Sequence, residues 1–275
     1  MDQGHIMNQF EEVMDLPDAE VDLARAALLL AAAEYHDINI ERDLLTLQRL
    51  AGDVSSRLLE EDDPLFCMNT LSQHLFDDLG FKGNTGDYYS PRNSYLNQVL
   101  ERKLGIPITL SLVYVEVGKR LDIPLVGVGP PGHFLVRHRD VADLFVDPFN
   151  RGILLSEDEC RRRVVEAVRG PLQWDPSYLE PVTSRDFIGR IIRNLKAIYL
   201  QQRDHARALT VIDFALALDP SSASDRRDRG IAHYHLGNRA QALDDLQFYL
   251  DFATPGPDKD GVDQMVSHIR FTLDD

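Results

Sequence analysis

Apolar residues recur along the first third of the chain at three- and four-residue steps. Ile40, Leu44, Leu47, Ala51, Val54 and Leu58 share one face and predict an amphipathic helix. Val21 to Tyr35 is apolar almost all round, the pattern of a buried helix. Pro64 to Leu79 predicts a third helix, closed by Gly80. From Phe81 to Arg92 the period is lost and turn residues dominate. A helix from Ser94 to Lys103 follows, then the turn Gly105-Ile106-Pro107 and a mostly apolar helical run over 108–121. Pro107 suits a first helical turn, where its missing N–H has no partner to lose. Lys119 and Arg120 fall at the negative end of that helix dipole.

Beyond residue 123 the pattern changes. PLVGVG, HFLVRH and DLFVDP are β-rich runs separated by glycines and polar turns, which predict neighbouring strands of an antiparallel sheet. Ser156-Glu157-Asp158-Glu159 has the form of a capping box and predicts a helix start. The stretch 172–182 holds prolines and Trp174 and reads as a linker. The C-terminal part then repeats itself. Ala208 and Ala242 lie 34 residues apart, as do Leu209 and Leu243, Ile212 and Leu246, and Lys196 and Gly230. Pro220 and Pro255 close the copies one residue out of phase. That period, with small residues at the helix contacts, is the signature of tetratricopeptide (TPR) repeats. Flanking helices over Phe187–Gln201 and Gly261–Leu273 would close the stack.

Candidate chemistry gathers around the central helix start. His133 and Asp147 are expected on neighbouring strands facing it, and an imidazole bonded to a carboxylate can act as a base. The blocks Asn93-Ser94-Tyr95-Leu96, Gly105-Ile106-Pro107 and Pro131-Gly132-His133-Phe134-Leu135-Val136 resemble the SirB-type branch of the transglutaminase-like superfamily. The likeness runs over roughly residues 18–255 and implies a transglutaminase-like core followed by TPR repeats. It maps the family's histidine and aspartate to His133 and Asp147, and its nucleophilic cysteine to Pro107. Thr109, in the first helical turn, is the nearest hydroxyl to the lost thiol, but a hydrogen bond at the helix N-terminus or packing is its favoured role; Ser111 lies one residue too deep to share its direction. Asn93, Ser94, Tyr95, Pro107, Gly132 and Phe134 are the expected groove or structural residues, with Tyr88 and Tyr89 as further groove candidates.

The expected architecture is α+β: a flexible segment 1–17, a helical cap and transglutaminase-like core over 18–171, a linker 172–182 and an all-α repeat tail 183–275. A net charge of −16 disfavours nucleic acid, whose phosphates need clustered cations. The one basic cluster, Arg161-Arg162-Arg163 with Arg169, reads as balancing local acids. No apolar run is long enough for a membrane span. Two cysteines, Cys67 and Cys160, fit a reducing cytoplasm rather than a disulfide scaffold. His233 and His235 point to opposite sides of a helix, a poor arrangement for a metal. The expectation is a protein without metal or cofactor that binds a protein or peptide through its repeat face or core groove. The alternative is an atypical hydrolase or acyltransferase using His133–Asp147 with Thr109 or water.

Overall fold

The computed structural model describes residues 2–58, 63–168 and 173–273, in two compact units that divide between Ile191 and Ile192. The first unit opens with helix α1 (Gln3–Met14), which packs Ile6, Phe10 and Met14 against α2 (Leu23–Ala32). The segment expected to be flexible is therefore ordered, because one apolar residue per turn gives it a face to bury. In α2 the apolar positions from Ala26 to Ala32 are all buried. Asp22 caps α2 by accepting from the Arg25 N–H at 2.9 Å, and Asn39 caps α3 (Ile40–Ser55) by accepting from Arg42 at 3.0 Å. Helix α4 (Pro64–Ser72) runs into a π-helical turn over Gln73–Asp78, and Gly80, at φ +80°, ends it.

Helix α5 (Leu96–Arg102) leads into α6 (Pro107–Lys119), which is buried along its length from Pro107 to Gly118. It touches α2, α3 and α5 on one side and the sheet on the other, so it forms the axis of the core. The sheet has the order β3 (Leu125–Val128), β4 (Leu135–His138), β5 (Phe145–Asp147), β6 (Ile153–Leu155), all antiparallel. Val136 pairs with Gly127 on one side and with Val146 on the other. Two-residue strands β1 (Lys82–Gly83) and β2 (Leu104–Gly105) pair in parallel and tie the turn-rich segment to the start of α6. Helix α7 (Glu157–Ala167) starts at the expected capping box, with Ser156 and Glu159 exchanging hydrogen bonds.

The expected linker begins at Leu172, which lies outside the described residues, and its remainder is no free tether. Pro181 bridges to Val128, while Leu179 and Trp174 join the cluster of Val128, Leu135, Phe145, Leu155 and Cys160. Proline content suggests a linker, but the apolar side chains between the prolines have a sheet face to cover. Helix α8 (Ser184–Gln201) then crosses from the first unit into the second.

The second unit continues with α9 (His205–Leu218), α10 (Ala223–His235), α11 (Arg239–Phe252) and α12 (Pro257–Leu273). Ala208 and Ala242 are fully buried. A Cβ on Gly230 would lie 2.7 Å from Leu246, so α10 and α11 approach as closely as glycine allows. Ala242, Leu246 and Leu250 meet Val262, Val266 and Ile269 of α12, which covers the end of the stack. Ala242→Leu should overpack this contact and cost about 1–3 kcal/mol, whereas Arg239→Leu on the exposed face should stay within about 0.5 kcal/mol. Side-by-side thermal melts check this; equal small shifts would contradict the packing.

Candidate functional site

The start of α6 is built from a polar hub rather than a nucleophile. Pro107 is buried and occupies the first turn. Thr109, fully buried, accepts from the Ile106 N–H at 3.1 Å and donates to the Asn93 carbonyl at 2.6 Å. Its hydroxyl satisfies backbone groups at the helix start, the structural role favoured for it over that of a nucleophile. Sequence spacing placed it near the motif but could not give its direction. Asn93, also fully buried, donates to the carbonyls of Asp87 and Tyr88 at 2.7 and 3.1 Å and accepts from Asn84 at 3.0 Å. It thereby fixes the turn that carries Tyr88 and Tyr89. Thr109→Val would strand the Ile106 N–H and the Asn93 carbonyl, at a cost of about 1–3 kcal/mol. Thr109→Ser should recover most of that in a denaturant melt.

Ser94, Tyr95 and Phe134 are also buried, at 2%, 2% and 1% exposure, so none of them lines an open groove. Tyr95 sits edge-on to Tyr35 and Phe134 packs on Phe187, with ring centroids 4.6 Å apart. Ser111 is buried as well.

His133 lies two residues ahead of β4 rather than within a strand, at the end of a loop in which Gly132 takes φ +73°. Arg190 of α8 grips this loop, donating to the carbonyls of Gly129, Pro130 and His133 at 2.8, 3.0 and 2.8 Å. Asp147, the last residue of β5, is fully buried and bonds His133 Nε2 through Oδ2 at 2.9 Å. Asn150 donates its backbone N–H to Oδ1 at 3.2 Å and its side-chain amide to Oδ2 at 2.7 Å. Arg163 of α7 stands 3.6 Å away. Burial alone would raise the Asp147 pKa, but the hydrogen bonds from His133 and Asn150 outweigh it and hold the carboxyl below its ordinary value. The imidazole, 12% exposed, is thus oriented through Nε2.

Phe149 walls this pair. Its ring fills the space a side chain on Gly83 would need and meets His133 edge-on, centroids 6.2 Å apart. Tyr88 packs edge-on against both Phe149 and Tyr89, and Tyr89 is 66% exposed. An aromatic shelf therefore flanks the imidazole, with two tyrosines at its open edge.

A family model for the transglutaminase-like superfamily matches residues 43–193, more than half of the chain, and a tetratricopeptide-repeat model matches residues 195–269. A UPF0162 protein of Xylella fastidiosa (strain Temecula1) is 39% identical over 256 residues, covering 92% of this chain and 90% of that protein. This chain belongs to the transglutaminase-like superfamily. A UPF0162 protein of Vibrio cholerae is 28% identical over 251 residues, covering 89% of this chain and 92% of that protein. F-box only protein 21 of Mus musculus is 30% identical over 220 residues, covering 76% of this chain but 34% of its own length. No solved structure matches. The transglutaminase-like core with a TPR tail is thus the shared architecture, in agreement with the resemblance read from the sequence.

Within this transglutaminase-like fold, both cysteine thiols are buried. Cys160 is buried in the cluster under the sheet, and burial together with the Asp147 charge pushes its thiol up to about 12. Cys67 is buried in α4. The basic cluster is dispersed in its roles: Arg162 faces Glu159, Arg163 faces Asp147, and Arg161 lies over the Trp174 ring, while Arg169 falls outside the described residues. His235 stacks on His205, centroids 4.3 Å apart, and among the described residues no group of three or more His, Cys, Asp or Glu is arranged to hold a metal.

Three residues that shape the pair escaped the sequence reading. Asn150 had a signal, since Asp147-Pro148-Phe149-Asn150 is an Asx-type turn sequence whose carboxylate accepts from the backbone three residues on. Arg163 stood in a basic cluster read as balancing local acids, without Asp147 as its named partner, and Arg190 had no signal, because its proximity exists only in the fold.

Proposed function

We propose that this protein is a binding scaffold: a transglutaminase-like core that keeps an oriented His133–Asp147 pair without a nucleophile, joined to a repeat module that engages a protein or peptide partner. The observation that carries this reading is the state of the hydroxyls and thiols around the motif. Thr109 is buried and committed to backbone groups, Cys160 is buried with a raised pKa, and Pro107 stands at the mapped cysteine position. The matched TPR repeats support the binding half of the proposal. The net charge of −16 favours a basic partner segment, so binding should weaken as salt rises. Two buried cysteines favour a reducing cytoplasm as its compartment.

A second reading has one observation in its favour. His133 is bonded to Asp147 through Nε2, which leaves Nδ1 as the nitrogen that could take a proton from water in a hydrolysis. The two readings separate on one experiment. The full chain and His133→Ala are screened against ester, thioester and amide substrates and against electrophilic probes. The scaffold reading expects no adduct and no turnover above that of His133→Ala. Turnover or labelling lost in His133→Ala would replace it with the hydrolytic reading.

A further inference from the structure

The π-helical turn Gln73–Asp78 encloses an imidazole with nothing to bond. His74 is 4% exposed, and among the described residues neither ring nitrogen has a hydrogen-bond partner. Asp78, on the same turn, stands 3.8 Å from Nδ1, beyond hydrogen-bond reach, and is held by Arg57 at 2.7 Å. A neutral ring tolerates such a slot. An imidazolium there would lack both the water and the acceptors that its charge requires. π-helical turns are rare and recur at functional sites. This one is closed by the Leu79 N–H, which donates to the His74 carbonyl five residues back at 3.0 Å.

The charges around the ring divide. Burial and Arg57, just past the end of α3, hold the His74 pKa below 6.5, while Asp53 of α3 and Asp78 oppose them in part. From α6 comes Tyr114, whose hydroxyl meets Ser72 Oγ at 3.1 Å and donates to the Met68 carbonyl at 2.8 Å. From the turn after β5 comes Arg151, paired with Asp77 at 2.6 Å.

The same π-helical turn buttresses the aspartate of the candidate site. Phe76 stacks on Tyr114, centroids 6.1 Å apart. A Cβ on Gly152 would overlap the Phe76 ring, so the two segments meet as closely as glycine allows. The Gly152 N–H donates to the Asp147 carbonyl at 2.9 Å and closes the turn in which Asn150 holds the Asp147 carboxylate. The segment that buries a partnerless imidazole thus supports the residues that orient His133.

We propose that His74 is a proton-operated catch: while neutral it lets the π-helical turn close against Gly152 and keep the His133–Asp147 pair in place, and on protonation it opens that turn and withdraws the support. The proton comes from solvent and no other bond is made or broken. What this does to partner binding rests on the scaffold reading above. The test reads the coupling itself, with no partner or substrate, and can fail while that reading stands.

Amide hydrogen exchange of the full chain, followed by NMR from about pH 8 to about pH 5, tests this. The closed turn is fully favoured above 6.5 and loses its advantage as pH falls toward the lowered folded value of His74. Protection of the Gly152 amide should therefore fall below 6.5, by up to about tenfold per pH unit for one proton taken up. The amide of Leu29 in α2 should stay protected. In His74→Phe the fall at Gly152 should be absent, and in His133→Gln it should persist. Unchanged protection of Gly152 in wild type, or the same fall in His74→Phe, would overturn the proposal. Equal loss at Leu29 would overturn it too, because the whole unit would then be unfolding. If His74→Phe does not fold, His133→Gln decides: loss of the effect there would make His133 the sensor instead.

Discussion

Asp147→Ala is expected to lower folding stability by about 3–5 kcal/mol, because it removes one side of a buried charged network and leaves the other side in place. The carboxylate is fully buried and accepts from His133 Nε2 and from both the backbone and side-chain amides of Asn150. Alanine would strand all three donors and leave Arg163 without its counter-charge. Asp147→Asn keeps an acceptor oxygen and should cost less. The effect also has a pH signature. Since the folded pKa lies below the ordinary 3.8, ionised Asp147 contributes stability that is fully present above about that value. The contribution is lost as pH falls through the lowered folded value. Urea melts of wild type and Asp147→Asn should therefore differ most near neutrality and converge in acid. A constant gap down to the lowest pH would mean that the charge carries none of it.

The second large effect is expected at Phe134. Its ring is 1% exposed, packs on Phe187 and lies under the Arg190 guanidinium, 5.4 Å from the centroid. Phe134→Ala should cost about 3–5 kcal/mol through lost transfer energy and the cavity left behind. A change of midpoint with unchanged denaturant slope would report that loss cleanly. The NMR signals of the neighbouring His133 should shift in the same variant, since the loop and the ring share Arg190. A loss below about 1 kcal/mol, the size of an ordinary surface change, would mean that the surrounding core closes over the gap.

Much of this fold was legible in the chain. The helices over 23–32, 40–55 and 107–119 announced themselves by period and caps, because several turns of one face must agree before a helix is buried. Three strands were visible for the same reason. Strand β6 was not, since three residues with one buried side chain carry no period. The parallel pair β1–β2 escaped for a like reason, at two residues each. The segment after 172 misled by composition: prolines signal a break in regular structure, not a lack of packing. At the site, the pairing of His133 with Asp147 followed from motif and resemblance. The structural role of Thr109 was legible from its place in the first helical turn, whereas its second partner was not, because the Asn93 carbonyl lies sixteen residues away in sequence.

Helix α8 leaves a practical mark on how this protein can be dissected. One uninterrupted helix bears Arg190, which holds the histidine loop, and six residues later Lys196, which pairs with Asp225 and Asp228 of the repeats at 2.6 and 2.8 Å. The two family matches meet at residues 193 and 195, in the middle of it. A core fragment that stops at Pro181 would lose the Val182 hydrogen bond to Gly127 of β3 and the Arg190 grip on the histidine loop. A repeat fragment that starts at His205 would take the Lys196 ammonium from Asp225 and leave Asp228 with Arg227 alone. Cutting between the halves therefore injures both, and a deletion series should lose function at each end before either supposed module is itself removed.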